Sequence, residues 1–209
     1  NFPRGIRAGH CLHELLEHWD FQEDTEPIVK RSLRRYRLLS GKAEIDIRNT
    51  LEELKTVHLQ HMDVDLKTAA ADKTLSEWEF LLPLNHNGIS GHSLSKVFNK
   101  HARNDTERLY ALDLAGLPEQ TLSGMLTGYI DRIIRANDVW GIADWKSNYL
   151  GSCYNQYRQE DLWNCAADQH YLLQVHLYLV ALRRYLKERA PQDTATSGYL
   201  VFLRGISPK

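Results

Sequence analysis

The chain has 209 residues, of which 43% are hydrophobic and 25% are charged, and its formal net charge at pH 7 is −1. This length allows one substantial α/β domain, or a domain with a helical extension, and the composition is that of an ordinary globular protein. The near-neutral charge excludes a globally basic nucleic-acid binder, although a local basic groove beside an acidic site remains compatible with it.

Three other bulk features narrow the class of protein. No apolar run has the length needed to span a bilayer. The cysteines Cys11, Cys153 and Cys165 form no Cys-x-x-Cys motif, so we expect reduced thiols in a cytoplasmic protein. The chain begins with Asn1 instead of methionine, and we expect it to be a piece of a longer polypeptide.

The first third of the chain is predicted to be helical. Apolar residues recur at helical spacing over residues 9–21, 28–39 and 43–61. The second of these helices carries a basic stretch at residues 30–37, which is either a solvated helix face or a DNA contact.

The rest of the chain predicts strands and helices in alternation. A strand over residues 75–84 ends at a loop at 86–88, and a helix follows over residues 90–104. After a hairpin come a long helix over residues 165–189 and a strand over residues 198–203. That last strand is almost continuously apolar, as expected of a buried central strand. The order predicts a mixed sheet with helices packed on its faces.

The hairpin is predicted from two strands, at about residues 124–134 and 139–147. Asn137 and Asp138 between them are suited to a tight turn. If these two are the turn residues, the strands pair symmetrically outward from the turn.

Three charged side chains converge if this pairing holds. Asp131 then lies opposite Asp144, with Cβ atoms roughly 4.5–5.5 Å apart, and Lys146 shares their face. Two adjacent carboxylates repel each other unless a positive charge lies between them, and a divalent cation is the usual solution. The spacing is equally compatible with a surface salt-bridge ladder, and a β-bulge would shift the register. Glu79 in the preceding strand is either a supporting carboxylate or an exposed one.

Four further residues could serve the same site. His13 follows Gly9 in the first predicted helix and is either a metal ligand or a packing or surface residue. The side chain of Trp145 points to the opposite face, but its backbone carbonyl is a plausible oxygen ligand. Gln174 and Tyr178 lie one helical turn apart, where they could bind phosphate oxygens or a base edge, or border an apolar stripe.

Taken in order, these motifs resemble the RecB-type nuclease family of the PD-(D/E)XK nuclease superfamily. The match looks closest to the C-terminal domain of exodeoxyribonuclease V beta subunits, and it covers essentially the whole chain. The matching pieces are Gly9-x-x-x-His13, Gly128-Tyr129-Ile130-Asp131, Asp144-Trp145-Lys146-Ser147 and Gln174-x-x-x-Tyr178.

The resemblance implies an α/β fold with a restriction-endonuclease-like core. In this core a mixed central sheet is flanked by helices and preceded by an N-terminal helical region. Residues 1–209 would form a single RecB-type nuclease domain, with a mainly helical part at about residues 1–70 that carries His13. Residues 75–209 would hold the sheet and the long helix.

The resemblance also implies a Mg²⁺-dependent DNA nuclease. The implied magnesium ligands are His13, Asp131, Asp144 and the Trp145 carbonyl. Lys146 would be the catalytic lysine acting with the two aspartates, while Gln174 and Tyr178 would contact the DNA. Because no cysteine follows Cys165, an iron–sulfur cluster like that of some relatives is not expected.

The implied partners are single- and double-stranded DNA ends, and the gamma and alpha subunits of exodeoxyribonuclease V in double-strand-break repair and recombination. The chain carries no Gly-x-x-x-x-Gly-Lys-Ser/Thr motif, so any ATP dependence would belong to another part of the polypeptide. One alternative is a non-catalytic nuclease fold that docks DNA or a partner subunit. A zinc-dependent hydrolase is less favoured, because the chain has no His-Glu-x-x-His motif.

Overall fold

The computed structural model describes residues 2–71, 73–117 and 122–206, and the chain divides into two compact units. The first unit consists of Asn1–Trp78 and Tyr129–Lys209, and the second of Glu79–Gly128. The elements of the N-terminal region are α1 (Ile6–His18), α2 (Thr25–Arg35), α3 (Gly41–Lys55), β1 (His58–Leu59), β2 (Val64–Asp65) and α4 (Leu66–Ala70). The elements that follow are β3 (Lys73–Ile89), α5 (Gly91–His101), α6 (Asp105–Ala115), β4 (Leu122–Ala136), β5 (Val139–Lys146), α7 (Gln159–Asp168), α8 (Tyr171–Arg189) and β6 (Thr196–Phe202).

The central sheet has four strands in the order β3-β4-β5-β6. Strands β4 and β5 are antiparallel neighbours, whereas β6 runs parallel to β5 after the helical crossover of α7 and α8. The structure is therefore a mixed α/β fold with a mixed central sheet flanked by helices, consistent with a restriction-endonuclease-like core. This confirms the fold class expected from the sequence.

The main core of the first unit forms between the N-terminal helices and one face of the sheet. Every third or fourth residue of α1 is apolar, so the helix buries one continuous stripe. The buried residues of that stripe are Ala8, Cys11, Leu12, Leu15 and Leu16. From the sheet, Ala143 and Trp145 of β5 and Val201 of β6 enter the same core. Residues between them along β5, such as Asp144, face the opposite side.

Helix α8 covers that opposite side. The Cβ that a residue other than glycine would carry at Gly198 of β6 lies 3.1 Å from Val175 and 3.3 Å from Leu179 of α8, so the helix packs closely on the strand. The sheet order corrects one prediction: β6 is an edge strand of the four-stranded sheet, not a central one. Its apolar character follows from being covered by α8 on one face and by the main core on the other.

Three predicted boundaries in this unit and in β3 differ from the structure. The third helix ends at Lys55 instead of residue 61, because the chain then forms the β1–β2 hairpin. Strand β3 continues to Ile89 through the predicted loop. The long helix is two helices, because His170 adopts a left-handed φ of 54° between α7 and α8.

The second unit contains the helical pair α5 and α6, where a single helix over residues 90–104 was expected. Ser90 and Ser93 form a reciprocal capping box at the start of α5. The two helices pack closely enough for Phe98 and Tyr110 to meet edge to face at 5.7 Å between ring centroids. In neither unit does a described helix combine the length and apolarity needed to cross a membrane.

Candidate active site

The β4–β5 hairpin has the predicted turn and register. Asn137 and Asp138 both adopt left-handed backbone conformations, with φ of 48° and 58°, as the two-residue type I′ turn requires. The strands pair symmetrically outward from this turn as far as Arg132 opposite Ala143. The prediction of the turn residues is confirmed, and the next positions outward are Asp131 and Asp144.

The two aspartates and Lys146 meet on the face of the sheet that α8 covers. Asp131 Oδ2 accepts a hydrogen bond from the backbone N–H of Trp145 at 2.7 Å, so the carboxylate is directed across the hairpin. Lys146 Nζ lies 2.7 Å from Asp144 Oδ2. Asp144 is only 2% exposed and Lys146 only 7%, which excludes the alternative of a solvated surface ladder.

Burial and proximity push the pKa values of the two aspartates apart. Burial, opposed by Lys146 and reinforced by the charge of Asp131, raises the pKa of Asp144 to about 6. Burial also acts to raise the pKa of Asp131, but the neighbouring His13 imidazole and the backbone N–H of Trp145 outweigh it and lower the pKa. Each carboxyl group acts on the pKa of the other, so the two titrate as a pair.

His13 reaches this cluster from α1. Its Nδ1 atom lies 3.6 Å from Asp131 Oδ1, and the pKa of His13 is raised because Asp131 outweighs the effect of burial. The helix approaches the end of β5 closely: a Cβ at Gly9 would lie 3.0 Å from Ser147 Oγ. The glycine of the Gly-x-x-x-His motif thus allows the helix to bring His13 beside the aspartates.

Gln174 and Tyr178 extend the cluster along α8. Lys146 Nζ donates a hydrogen bond to Gln174 Oε1 at 2.7 Å, and Gln174 Nε2 donates one to the Tyr178 hydroxyl at 2.8 Å. Burial, followed by the charge of Asp144, raises the pKa of Tyr178 to about 12, so the phenol stays neutral. In this structure the two residues hold the lysine, and DNA contact by either of them remains a prediction.

Trp145 has the orientation predicted for it. Its buried ring lies on the opposite face of β5 and packs 6.4 Å from Phe21 between ring centroids. Whether its carbonyl binds a metal is not decided by this packing and remains a prediction.

Two residues at the site escaped the sequence interpretation. The Tyr171 ring centroid lies 3.7 Å from Lys146 Nζ, in a cation–π contact. Glu77 of β3 has a raised pKa because of partial burial and then the charges of Asp131 and Glu17, so its carboxyl group is near enough to interact with Asp131. Its positive φ of 47° interrupts the strict alternation on which the choice of Glu79 depended. Glu79 itself is exposed and belongs to the second unit.

Arg204 ties together three distant stretches of chain next to the cluster. It follows β6 and donates hydrogen bonds to the carbonyls of Ser147, Phe2 and Pro3, at 2.8, 2.9 and 2.6 Å. The residue after the catalytic lysine candidate is thereby held to both ends of the chain.

The donor chemistry fits a hard divalent cation. Carboxylate oxygens, a backbone carbonyl and an imidazole are suitable ligands for such an ion. A cation between Asp131 and the buried Asp144 would also relieve the repulsion of the two carboxylates. Among the described residues, no group of three or more His, Cys, Asp or Glu side chains already stands as a metal-ligand set. His13, Asp131 and Asp144 are proposed as ligands of the cation from their chemistry and position.

Comparison with known proteins gives the family of the chain. The family model of the PD-(D/E)XK nuclease superfamily matches residues 3–207. The chain is 31% identical to the RecBCD enzyme subunit RecB of Escherichia coli strain K12, over 98% of this chain and 17% of the relative.

Two further relatives carry the same name. The chain is 30% identical to the subunit of Haemophilus influenzae, over 99% of this chain and 17% of the relative. It is 29% identical to the subunit of Mycobacterium tuberculosis strain H37Rv, over 98% of this chain and 21% of the relative. It therefore spans about a fifth of the length of these relatives. The chain belongs to the PD-(D/E)XK nuclease superfamily.

Proposed function

We propose that this chain is a Mg²⁺-dependent deoxyribonuclease domain that hydrolyses phosphodiester bonds in DNA. The observation that carries the proposal is the buried cluster in which Lys146 pairs with Asp144 beside Asp131. Membership of the nuclease superfamily supports the reaction class, and two carboxylates beside a lysine suit cleavage of a phosphodiester.

The magnesium ion would be held by His13, Asp131, Asp144 and the Trp145 carbonyl. When bound, it would supply positive charge against the negative charge that builds on the scissile phosphate. Mg²⁺ suits the site because it favours carboxylate and carbonyl oxygens and retains several waters.

Lys146 would stabilise charge on the reacting phosphate or orient the attacking water. Its ammonium group is held by Asp144, Gln174 and the Tyr171 ring, so little reorganisation is needed when charge develops. Gln174 and Tyr178 would help to position the strand through its backbone, which would give little sequence preference.

The relatives are subunits of the RecBCD enzyme, and this supports a wider proposal about partners. We expect the domain to act on single- and double-stranded DNA ends within an exodeoxyribonuclease V complex with gamma and alpha subunits. Such a complex would serve double-strand-break repair and recombination in the cytoplasm.

Cleavage of end-labelled linear DNA tests the proposal. Asp144→Asn and Lys146→Ala should each lose at least about a hundredfold in rate, because each removes a charge from the reacting centre. Asp138→Asn is the matched control: it makes the same chemical change on the same hairpin, at a turn position where asparagine also tolerates a left-handed φ.

Calorimetric titration of Mg²⁺ gives a second readout that needs no cleavage. Asp144→Asn should weaken Mg²⁺ binding at least tenfold, while Asp138→Asn should bind it normally. Near-normal cleavage by Asp144→Asn would contradict the assignment. Metal binding without cleavage by the unmodified chain would mean a built site that needs the rest of the polypeptide or its partners. Neither cleavage nor metal binding would instead favour the non-catalytic docking module.

A further inference from the structure

A shallow cleft lies between α1 and α2 on the first unit. It is lined by Glu14 and His18 from α1 and by Arg31 and Arg35 from α2. Two arginines and one glutamate line the cleft, so the lining carries more positive than negative charge, and Glu17 beside it lies 3.9 Å from His18 between Oε1 and Nδ1. The arginines of the basic stretch noted in the sequence are exposed, as a solvated helix face requires, and two of them line this cleft with a histidine from the neighbouring helix.

The single acidic group in the cleft is already paired. Glu14 Oε1 lies 2.8 Å from Arg35 Nη1, and Glu14 Oε2 accepts a hydrogen bond from the Tyr36 hydroxyl at 2.7 Å. Arg31 is exposed and forms no ion pair with any residue in the described parts of the chain. Its guanidinium therefore offers a planar fork of N–H donors, the arrangement that matches a phosphate group.

The cleft is close to the candidate active site along one helix. His18 lies five residues after His13, which corresponds to roughly 7.5 Å of helix rise and, at about 3.6 residues per turn, to roughly 140° of rotation about the helix axis. On a helix about 10–12 Å across, the path over its surface between the two positions is roughly 15 Å. Successive nucleotides of one DNA strand are roughly 3.4 Å apart along the duplex axis. A strand whose scissile phosphate lies at His13 and Asp131 could therefore cross α1 and present a phosphate several nucleotides away to the cleft.

We infer that the cleft lined by Glu14, His18, Arg31 and Arg35 binds backbone phosphates of the DNA strand that enters the active site. This inference rests on the proposed function. Because phosphate contacts position the strand without reading its sequence, the cleft would set register at the cleavage site and add a salt-dependent part to the affinity.

Equilibrium binding of a fluorescently labelled single-stranded oligonucleotide, without divalent metal and over a series of salt concentrations, tests the cleft. Arg31→Ala removes one phosphate contact. It should reduce the slope of log affinity against log salt by about 0.7, the value for one contact with a single strand. Its dissociation constant at about 0.1 M salt should rise several-fold. Arg189→Ala, which removes the same charge from the exposed end of α8, should change neither quantity.

A second variant has the opposite expected sign. Glu14→Gln keeps one acceptor oxygen, for either Arg35 or Tyr36, and removes the negative charge, so it should tighten binding about two- to fivefold. A merely destabilised protein would not gain affinity. The inference would be overturned by equal slopes for Arg31→Ala and Arg189→Ala, or by an unchanged affinity in Glu14→Gln. Either result would favour an acidic protein surface as the ligand of the cleft. The assay contains no cleavage step, so its outcome is separate from that of the nuclease test.

Discussion

Lys146 shows how one side chain can be fixed by its surroundings. Removing an ammonium group from water costs several kcal/mol, and here three contacts offset that cost. They are the ion pair with Asp144, the hydrogen bond to Gln174 and the face of the Tyr171 ring. The Tyr171 hydroxyl is in turn anchored on Asn148 Oδ1 at 3.2 Å. The ring therefore limits where the ammonium can lie.

Substitution of Tyr171 tests this positioning role. Tyr171→Leu removes the aromatic face, and a desolvated cation–π contact contributes about 2 kcal/mol. The turnover rate at saturating DNA should therefore fall on the order of tenfold or more. Tyr171→Phe keeps the ring and should remain within about threefold of the unmodified chain.

Tyr154→Leu, a change at an exposed tyrosine, serves as the control and should have no effect on turnover. An equal loss in Tyr171→Phe and Tyr171→Leu would assign the effect to the hydroxyl and its Asn148 contact instead of the ring. Thermal unfolding of each variant separates lost stability from lost turnover.

At the scale of elements, one strand performs two tasks with successive residues. Asp131 of β4 faces the reacting cluster, while Arg132 points to the other face and donates to the carbonyls of Leu16 and Trp19, at 2.6 and 3.2 Å. Those carbonyls lie at the C-terminal end of α1, where backbone carbonyls have no hydrogen-bond partner within the helix. The strand thus holds the helix that supplies His13.

Arg132→Lys should weaken this anchor. An ammonium on a shorter side chain cannot reach both carbonyls, so one buried carbonyl would lose its partner. We expect the free energy of unfolding in urea to fall by about 1–3 kcal/mol. Arg135→Lys is on the same strand and keeps the positive charge that pairs with Asp138 and Asp193, so its free energy of unfolding should fall by less than about 1 kcal/mol. Comparable losses in the two variants would contradict the anchoring role.

The hairpin was predictable because its determinants are local. Asn137 and Asp138 tolerate left-handed backbone, and two-residue turns fix the register of the strands that flank them. The meeting of Asp144 with Lys146 then follows from strand alternation. The break at His170 was not predictable, because apolar periodicity continues from α7 into α8 and a non-glycine residue rarely adopts positive φ. Glu77 was missed for a similar reason: it adopts a positive φ within β3, which the alternation of a strand does not predict.

Across the whole molecule, contacts between residues far apart in sequence determine the arrangements that sequence patterns do not predict. Arg204 joins both ends of the chain to Ser147, and the α1–α2 cleft gathers its residues from two helices. Periodicity within one segment specifies neither arrangement, since each depends on how helices and strands pack. Local signals were thus sufficient for the paired aspartates, whereas the groups that hold and supplement them required the tertiary structure.

Cysteine reactivity offers a measure of stability for the whole first unit. Cys11 is fully buried in the core that α1 shares with α2, α3 and the sheet, whereas Cys153 is exposed. Burial, followed by the charge of Glu14, raises the pKa of the Cys11 thiol to about 11. Only the thiolate reacts, and with that pKa roughly one thiol in a thousand is ionised at pH 8.

Alkylation by iodoacetamide at pH 8, followed by mass spectrometry of the peptides, should therefore modify Cys153 in the native chain and leave Cys11 unmodified. In increasing urea, Cys11 should become reactive with the same midpoint as the loss of tryptophan fluorescence, because its core opens only in the cooperative transition. A Cys153→Ser variant confirms which peptide carries the early label. Labelling of Cys11 well below the unfolding midpoint would show instead that α1, and with it His13, detaches from the sheet before the rest of the unit unfolds.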